Sequence, residues 1–174
     1  MNTEKSNAFV LKEIIQNRRS IFPKSYTPSP IEPSVLEEIV QSANFAPNHK
    51  RTRPWRYKLM QGEEKDRMGD RLAEIYRETV SPEAFLEKKF LDIADKWKKS
   101  GAVLIISVHF SGLVPEWEEI AAVAMGVQNM YLTATAHNVG CYWSTPGLKD
   151  HLFSDLNLRE NERCLGFFFL GSQE

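Results

Sequence analysis

An α+β layer fold is the expectation from three features of this sequence. Segments with helical periodicity outnumber those with strand character, the two kinds do not alternate strictly, and no internal repeat or linker divides the chain. At 174 residues the length suits one domain, residues 1–174, with room for a substantial core.

The first helix is expected over Asn7–Asn17, where Val10 and Ile14, and Leu11 and Ile15, pair at i,i+4 to make one apolar face. It runs directly into Arg18, Arg19 and Ser20. Residues 21–31 hold Pro23, Pro28 and Pro30, which lack the N–H a helix needs, so this stretch is an extended connector. A second helix starts near Pro33, whose fixed φ suits a first turn, and turns Val35, Leu36, Ile39, Val40 and Ala43 inward. It ends at Ala46, which Pro47 pushes out of helical geometry. Trp55–Met60 alternates as a strand with Trp55, Tyr57 and Leu59 on one face. Two charged helices follow over 63–77 and 82–99, the second capped by Ser81 and stopped by Gly101. Met68, Leu72, Ile75 and Tyr76 line the first; Phe85, Phe90, Ile93 and Trp97 line the second. Ala102–His109 is rich in valine and isoleucine, the pattern of a strand covered on both faces.

The helix over 115–137 is the most informative. Between 120 and 136 it has no charged residue, and a helix with no charged face is normally buried all round. So small a domain has little chain to spare for that burial, so part of this helix reads as a subunit interface. A central helix wrapped by its own chain is the competing arrangement. Gln128 and Asn129 then need hydrogen-bond partners. Asn138, Val139 and Gly140 end the helix, a short strand runs over 141–144, and Thr145-Pro146-Gly147 turns the chain. A short helix over 148–156 and a last strand over 164–170 complete the pattern.

A formal net charge of −1 argues against bulk binding of nucleic acid or acidic membrane, so any basic function is local. The first residues resemble no secretory signal, and no stretch reaches the roughly 20 apolar residues that span a bilayer. Cys141 and Cys164 have no partner at metal-ligand spacing; reduced buried thiols and a cytoplasmic location are the expectation.

Arg18, Arg19 and Ser20 stand at a helix end, and an arginine fork can hold phosphate with paired charge-assisted hydrogen bonds. A helix-capping role accounts for one of these arginines and leaves the serine unexplained. The run His49, Lys50, Arg51 and Arg53 lacks the aromatic platform of a nucleic-acid patch and is expected as a solvated loop. His49 is the exception, half-buried and hydrogen-bonded between Pro47 and Trp55. His109, His137 and His151 lack metal-ligand spacing, so no metal site is expected. Glu116, Glu118 and Glu119 decorate the first turns of their helix, where the dipole favours negative charge. No G-x-G-x-x-G, P-loop or nucleophile elbow is present, and nothing points to hydrolysis or covalent catalysis.

Five segments in order resemble the nitroreductase family of FMN-dependent oxidoreductases. They are Arg18-Arg19-Ser20; Ala46-Pro47-Asn48-His49-Lys50 with Pro54-Trp55; Gln128-Asn129; Gly140-Cys141-Tyr142-Trp143-Ser144; and Leu165-Gly166 through Leu170-Gly171. The resemblance implies a mostly antiparallel central sheet flanked by helices, in an intertwined homodimer with FMN at the subunit interface. It gives Arg18, Arg19 and Ser20 the phosphate and polar edge of the flavin, and brings His49 to the same cofactor from the partner subunit. Tyr142, Trp143 and Ser144 fall where the family lines the flavin. The implied reaction passes hydride from NADH or NADPH through FMN to a nitroaromatic, quinone or similar acceptor in ping-pong fashion, with no dedicated catalytic residue. Helices 63–77 and 82–99 would border the pocket and set acceptor size.

Other flavin reactions on this scaffold (reductive dehalogenation, flavin breakdown) and non-enzymatic flavin storage are the alternatives. Two departures bear on affinity. Phe22 stands where many members have a further arginine, with Lys24 the nearest substitute. The sequence also ends at Glu174, where longer members continue into an arm around the partner, so weaker phosphate binding and a weaker dimer are expected.

Overall fold

The computed structural model describes residues 6–173. Helix α1, Asn7–Asn17, is capped by Ser6, whose hydroxyl accepts the Phe9 N–H at 3.3 Å. A 3₁₀ turn at Pro23–Ser25 interrupts the proline-rich connector before α2, Pro33–Ser42. Strand β1, Trp55–Met60, leads to α3, Gly62–Thr79, and α4, Glu87–Lys98; β2, Ala102–His109, then precedes the long α5, Glu116–Ala136. Strands β3, Val139–Ser144, and β4, Glu162–Ser172, close the chain. The order across the sheet is β1-β2-β4-β3, and every neighbouring pair is antiparallel.

Four elements differ from the sequence reading. The expected helix 82–99 is broken: a 3₁₀ turn at Pro82–Ala84 gives way to extended Phe85 and Leu86 before α4 begins. The Tyr76 hydroxyl is the reason, since it accepts the Leu86 N–H at 3.0 Å and replaces the bond a continuous helix would make. Ser81 accordingly makes no side-chain cap to the backbone of that turn. Residues 148–156 form only a 3₁₀ turn, Gly147–His151, followed by further turns. Strands β3 and β4 are longer than expected because they pair with each other through six consecutive residues, Val139 to Ser144.

Alternation along the strands splits the core in two. Ala102, Leu104, Ile106 and Val108 face α2 and α5, together with Trp55, Cys141 and Phe168. Val103 and Ile105 face the other way, into a cluster with Met68, Leu72, Ile75, Trp97, Phe167 and Phe169. The double burial expected for β2 is therefore met. Helix α5 buries only one side in a single chain: Ala122, Val123, Gly126, Val127, Met130, Tyr131 and Ala134 face the sheet. On the opposite side Trp117, Met125 and Gln128 are exposed.

Candidate functional site

The loop after α1 follows the edge strand β3. The Ile21 N–H donates to the Cys141 carbonyl at 2.9 Å, and the Phe22 ring packs on Tyr142 with centroids 4.5 Å apart. Alternation decides what each site residue can reach. Trp143 packs with the α5-side cluster and Tyr142 with the α3/α4-side cluster, so their side chains lie on opposite faces of the sheet.

On the α5 side, three groups converge on Tyr131. The Trp143 N–H donates to its hydroxyl at 2.8 Å, and the Ser20 hydroxyl lies 3.4 Å away. The Arg18 guanidinium sits over its ring, 5.2 Å from the centroid. No carboxylate neutralises Arg18 among the described residues. Arg19 behaves as the helix-capping reading requires, donating to the Gln16 carbonyl at 2.6 Å and the Arg18 carbonyl at 2.9 Å.

The structure thus brings Arg18 and Ser20 together with the Trp143 backbone at Tyr131, leaves Arg19 on the end of α1, and places Tyr142 on the other face of the strand that Ser144 ends. Tyr131, the hub, was not singled out from the sequence. The available signal was a phenol within an otherwise apolar helix, because a buried Tyr hydroxyl needs a partner.

Two further observations make this a plausible cradle for an anionic, aromatic group. The Trp143 Nε1 donor is buried with no acceptor, a rare and costly arrangement in a single chain. Gly166 has φ of +139°, and a Cβ there would run into the Ser144 carbonyl oxygen and Trp143 Nε1, so only glycine lets β4 approach β3 this closely. A guanidinium with no carboxylate partner among the described residues and a serine hydroxyl fit a flavin phosphate. Burial pushes the Cys141 thiol up to about 12, with the Arg18 charge pulling the other way, which marks how near that charge lies.

His49 lies elsewhere. Its Nδ1 is 2.6 Å from Glu118 Oε2 in the first turn of α5, and its side chain is 58% exposed rather than half-buried. From Glu118 to Tyr131 is thirteen residues of helix, about 20 Å at 1.5 Å per residue. Within one chain His49 cannot meet Arg18. It instead borders a cavity of about 300 Å³ together with Pro47, Asn48, Trp117, Glu118 and Met125.

The basic loop around His49 is exposed, as expected for a solvated run, but hydrogen bonds hold it in place. Asn48 Oδ1 accepts the Arg53 N–H at 3.0 Å, and Lys50 Nζ donates to the Leu113 carbonyl at 3.0 Å. Lys50, Arg51 and Arg53 all have positive φ, which non-glycine residues adopt only when surrounding contacts compel it. Glu119 is also more than decoration: it is buried, and its carboxylate accepts the Ser111 N–H at 3.0 Å. Gln128 is exposed, whereas Asn129 finds a partner in the Ser42 carbonyl at 3.2 Å. Among the described residues no group of three or more His, Cys, Asp or Glu could hold a metal ion, and no helix is long and apolar enough to cross a membrane.

Comparison with known proteins points in one direction. The model of the nitroreductase family matches residues 15–172. An Escherichia coli K12 protein with the provisional name NAD(P)H nitroreductase YdjA is 27% identical over 168 residues, covering 93% of this chain and 87% of that protein. The crystal structure of a nitroreductase-like family protein from Bacillus cereus superposes with a TM-score of 0.80 at 25% identity, covering 100% of this chain and 89% of the other. The FMN-dependent nitroreductase NfnB from Mycobacterium smegmatis, solved in complex with NADPH, shares the fold with a TM-score of 0.77 at 14% identity, covering 97% and 90%.

Proposed function

Since the chain belongs to the nitroreductase family, we propose that it is an FMN-dependent NAD(P)H oxidoreductase acting as a homodimer. FMN, when bound, would supply the redox chemistry that couples oxidation of the nicotinamide to reduction of a nitroaromatic, quinone or similar acceptor, one substrate replacing the other. The protein's own groups bind and orient. Arg18 carries a positive charge that no carboxylate among the described residues cancels, which suits the cofactor phosphate, and the Ser20 hydroxyl can donate to the same group. The Tyr131 hydroxyl holds the β3 backbone at Trp143, keeping the strand and the charged loop in one arrangement.

Positive charge beside a bound flavin favours its anionic reduced form. No side chain is required as general acid or base, because water can protonate the acceptor. The distance between His49 and Arg18 is what supports the dimer here. Where two copies pack α5 against α5 about a twofold, the partner subunit's His49 approaches the Arg18 cluster.

The observation that carries this reading is the Arg18 guanidinium, with no carboxylate partner among the described residues, meeting Ser20 at Tyr131. A visible absorption spectrum of the purified protein, then anaerobic titration with NADH and NADPH, tests it. Flavin bands that bleach on titration are expected; bands that bleach only on illumination would leave flavin storage instead. In an Arg18→Ala/Arg19→Ala variant the FMN dissociation constant should rise by about tenfold or more, given roughly 1.5–3 kcal/mol for a hydrogen bond to a charged group. Undiminished retention would put the phosphate elsewhere.

A further inference from the structure

A second set of positive charges lies on the other side of β3, outside the Arg18 cluster. The outward face of α4 carries Lys88, Lys89, Asp92, Lys96 and Lys99 at helical spacing, and two adjoining cavities run along it. One, of about 330 Å³, is closed by Phe22, Pro23 and Lys24. The other, of about 450 Å³, is closed by Pro146, Gly147 and Leu148. They share Asp92 and Lys96, so they lie side by side along α4 and together make up the α4 cleft. Five lysines and two aspartates line it, an excess of three positive charges in a chain whose net charge is −1.

Most of that charge is uncommitted. Lys99 pairs with Asp95 at 2.7 Å, and Lys89 lies over the Tyr76 ring at 4.6 Å. Lys24, Lys88 and Lys96 have no carboxylate within ion-pair distance among the described residues. The cleft also adjoins the proposed flavin site at both ends. Phe22 is two residues beyond Ser20, and Pro146 two beyond Ser144.

The ligand has to be long, anionic and partly apolar. Lys88 and Lys96 are eight residues apart, about 12 Å along the helix, farther than one carboxylate or nitro group can bridge. Phe22, Pro146 and Leu148 offer an apolar wall between the charges. Lysine ammonium groups are compact point charges suited to phosphate oxygens. On the reading of this protein as a nicotinamide-dependent flavoenzyme, we propose that the α4 cleft seats the phosphorylated adenosine half of the donor, with Lys88 and Lys96 dividing the ribose 2′-phosphate and the pyrophosphate between them. NADPH is thereby favoured over NADH.

The flavin's own phosphate is the other source of the same chemistry. Arg18 and Ser20 stand on the α5 face of the sheet with Tyr131, whereas the lysine cleft lies on the α4 face beyond Phe22 and Tyr142, which assigns the two phosphates to different places. The test uses adenosine 2′,5′-bisphosphate as probe, with 5′-AMP as control, titrated by calorimetry into purified protein. Parallel steady-state assays compare NADPH with NADH in the wild type, in Lys88→Gln/Lys96→Gln, and in the Lys88→Arg/Lys96→Arg rescue.

The wild type should bind the bisphosphate more tightly than 5′-AMP. The glutamine variant should lose that difference, and its preference for NADPH, as the ratio of kcat/KM values, should fall about tenfold, with arginine restoring most of it. Added salt should raise KM for NADPH more steeply than for NADH. An unchanged ratio, or bisphosphate binding that ignores the lysines, overturns the assignment. Loss of FMN from the glutamine variant with bisphosphate binding intact would make the cleft a flavin-phosphate site and overturn it equally. Should the wild type oxidise neither nicotinamide, the proposed function fails, while calorimetry still decides whether the cleft takes a ribose phosphate.

Discussion

Arg18 and Arg19 are neighbours in sequence and do different work. The Arg19 guanidinium turns back onto two carbonyls at the end of α1, whereas Arg18 stays over the Tyr131 ring with no carboxylate partner among the described residues. Sequence spacing could nominate the pair but could not divide their roles, because the division depends on Tyr131, 113 residues beyond Arg18 in the sequence. His49 was legible only in part. Its hydrogen bond was expected, but its partner Glu118 and its exposure depend on how a distant helix is placed. The thiols were read correctly as buried, and their chemistry yields a prediction. Burial pushes Cys141 up to about 12 and Cys164 up to about 11, from an ordinary 9.0. Between those values the folded chain binds more protons than the unfolded one, so stability falls as pH rises. This contribution is whole below pH 9.0 and is lost toward pH 12. Tyr26 and Tyr57, whose phenols burial also raises, add to the same alkaline loss. Urea midpoints should drop between about pH 8 and pH 10.5, and drop less in Cys141→Ala/Cys164→Ala. The native thiols should resist Ellman's reagent at neutral pH until urea is added; prompt native labelling would show them accessible.

Among the elements, the helices and the double-sided strand were readable because burial leaves a period in the sequence. The break before α4 and the length of β3 and β4 were not, since each depends on a partner: the Tyr76 hydroxyl in the first case, the facing strand in the others. The close approach of α3 to α4 was equally hidden. Gly69 packs against Trp97 so tightly that an added Cβ would stand 2.5 Å from the Trp97 Cβ. Lys65, buried near the start of α3, donates to the Trp97 carbonyl from the same side. The indole in turn fills the space between Phe167 and Phe169, with centroids 5.1 and 5.5 Å away. Alanine is the better helix former by about 1 kcal/mol, yet overpacking a core costs about 1–3 kcal/mol. Here the obstacle is another residue's Cβ, which no rotamer change can move. Gly69→Ala should therefore destabilise the protein despite its gain in propensity, lowering Tm by several degrees, at about 2–4 °C per kcal/mol for a chain of this size. A variant melting above wild type would mean that α3 can slide along α4 without loss.

At the scale of the whole molecule, the uncharged stretch of α5 asks for a second chain. Its sheet-facing side is buried, but Trp117, Ala121, Met125, Gln128 and Leu132 follow one another at spacings of three and four, a stripe that its own chain leaves open. Trp117 is 68% and Met125 41% exposed, and Phe45 and Leu113 are exposed as well. An isologous dimer covers such a stripe with its own copy. If the stripe packs antiparallel so that the position of Glu118 on one helix lies opposite that of Tyr131 on the other, the twofold passes midway between them, at Ala124 and Met125. A Met125→Cys variant then places two thiols across the axis, within the roughly 7 Å Cα separation a disulfide allows. Trp117 lies eight residues away, so its two copies would be about 24 Å apart, at 1.5 Å per residue on each helix. Mild oxidation should convert Met125→Cys into a covalent dimer on a non-reducing gel and leave Trp117→Cys a monomer, the natural cysteines being buried and silent. Met125→Glu should shift sedimentation toward the monomer and release FMN in step, because one half of the flavin site would leave with the partner subunit's His49. A monomer that keeps its flavin, or cross-linking through position 117 in place of 125, would break the link between the α5 stripe and the cofactor site.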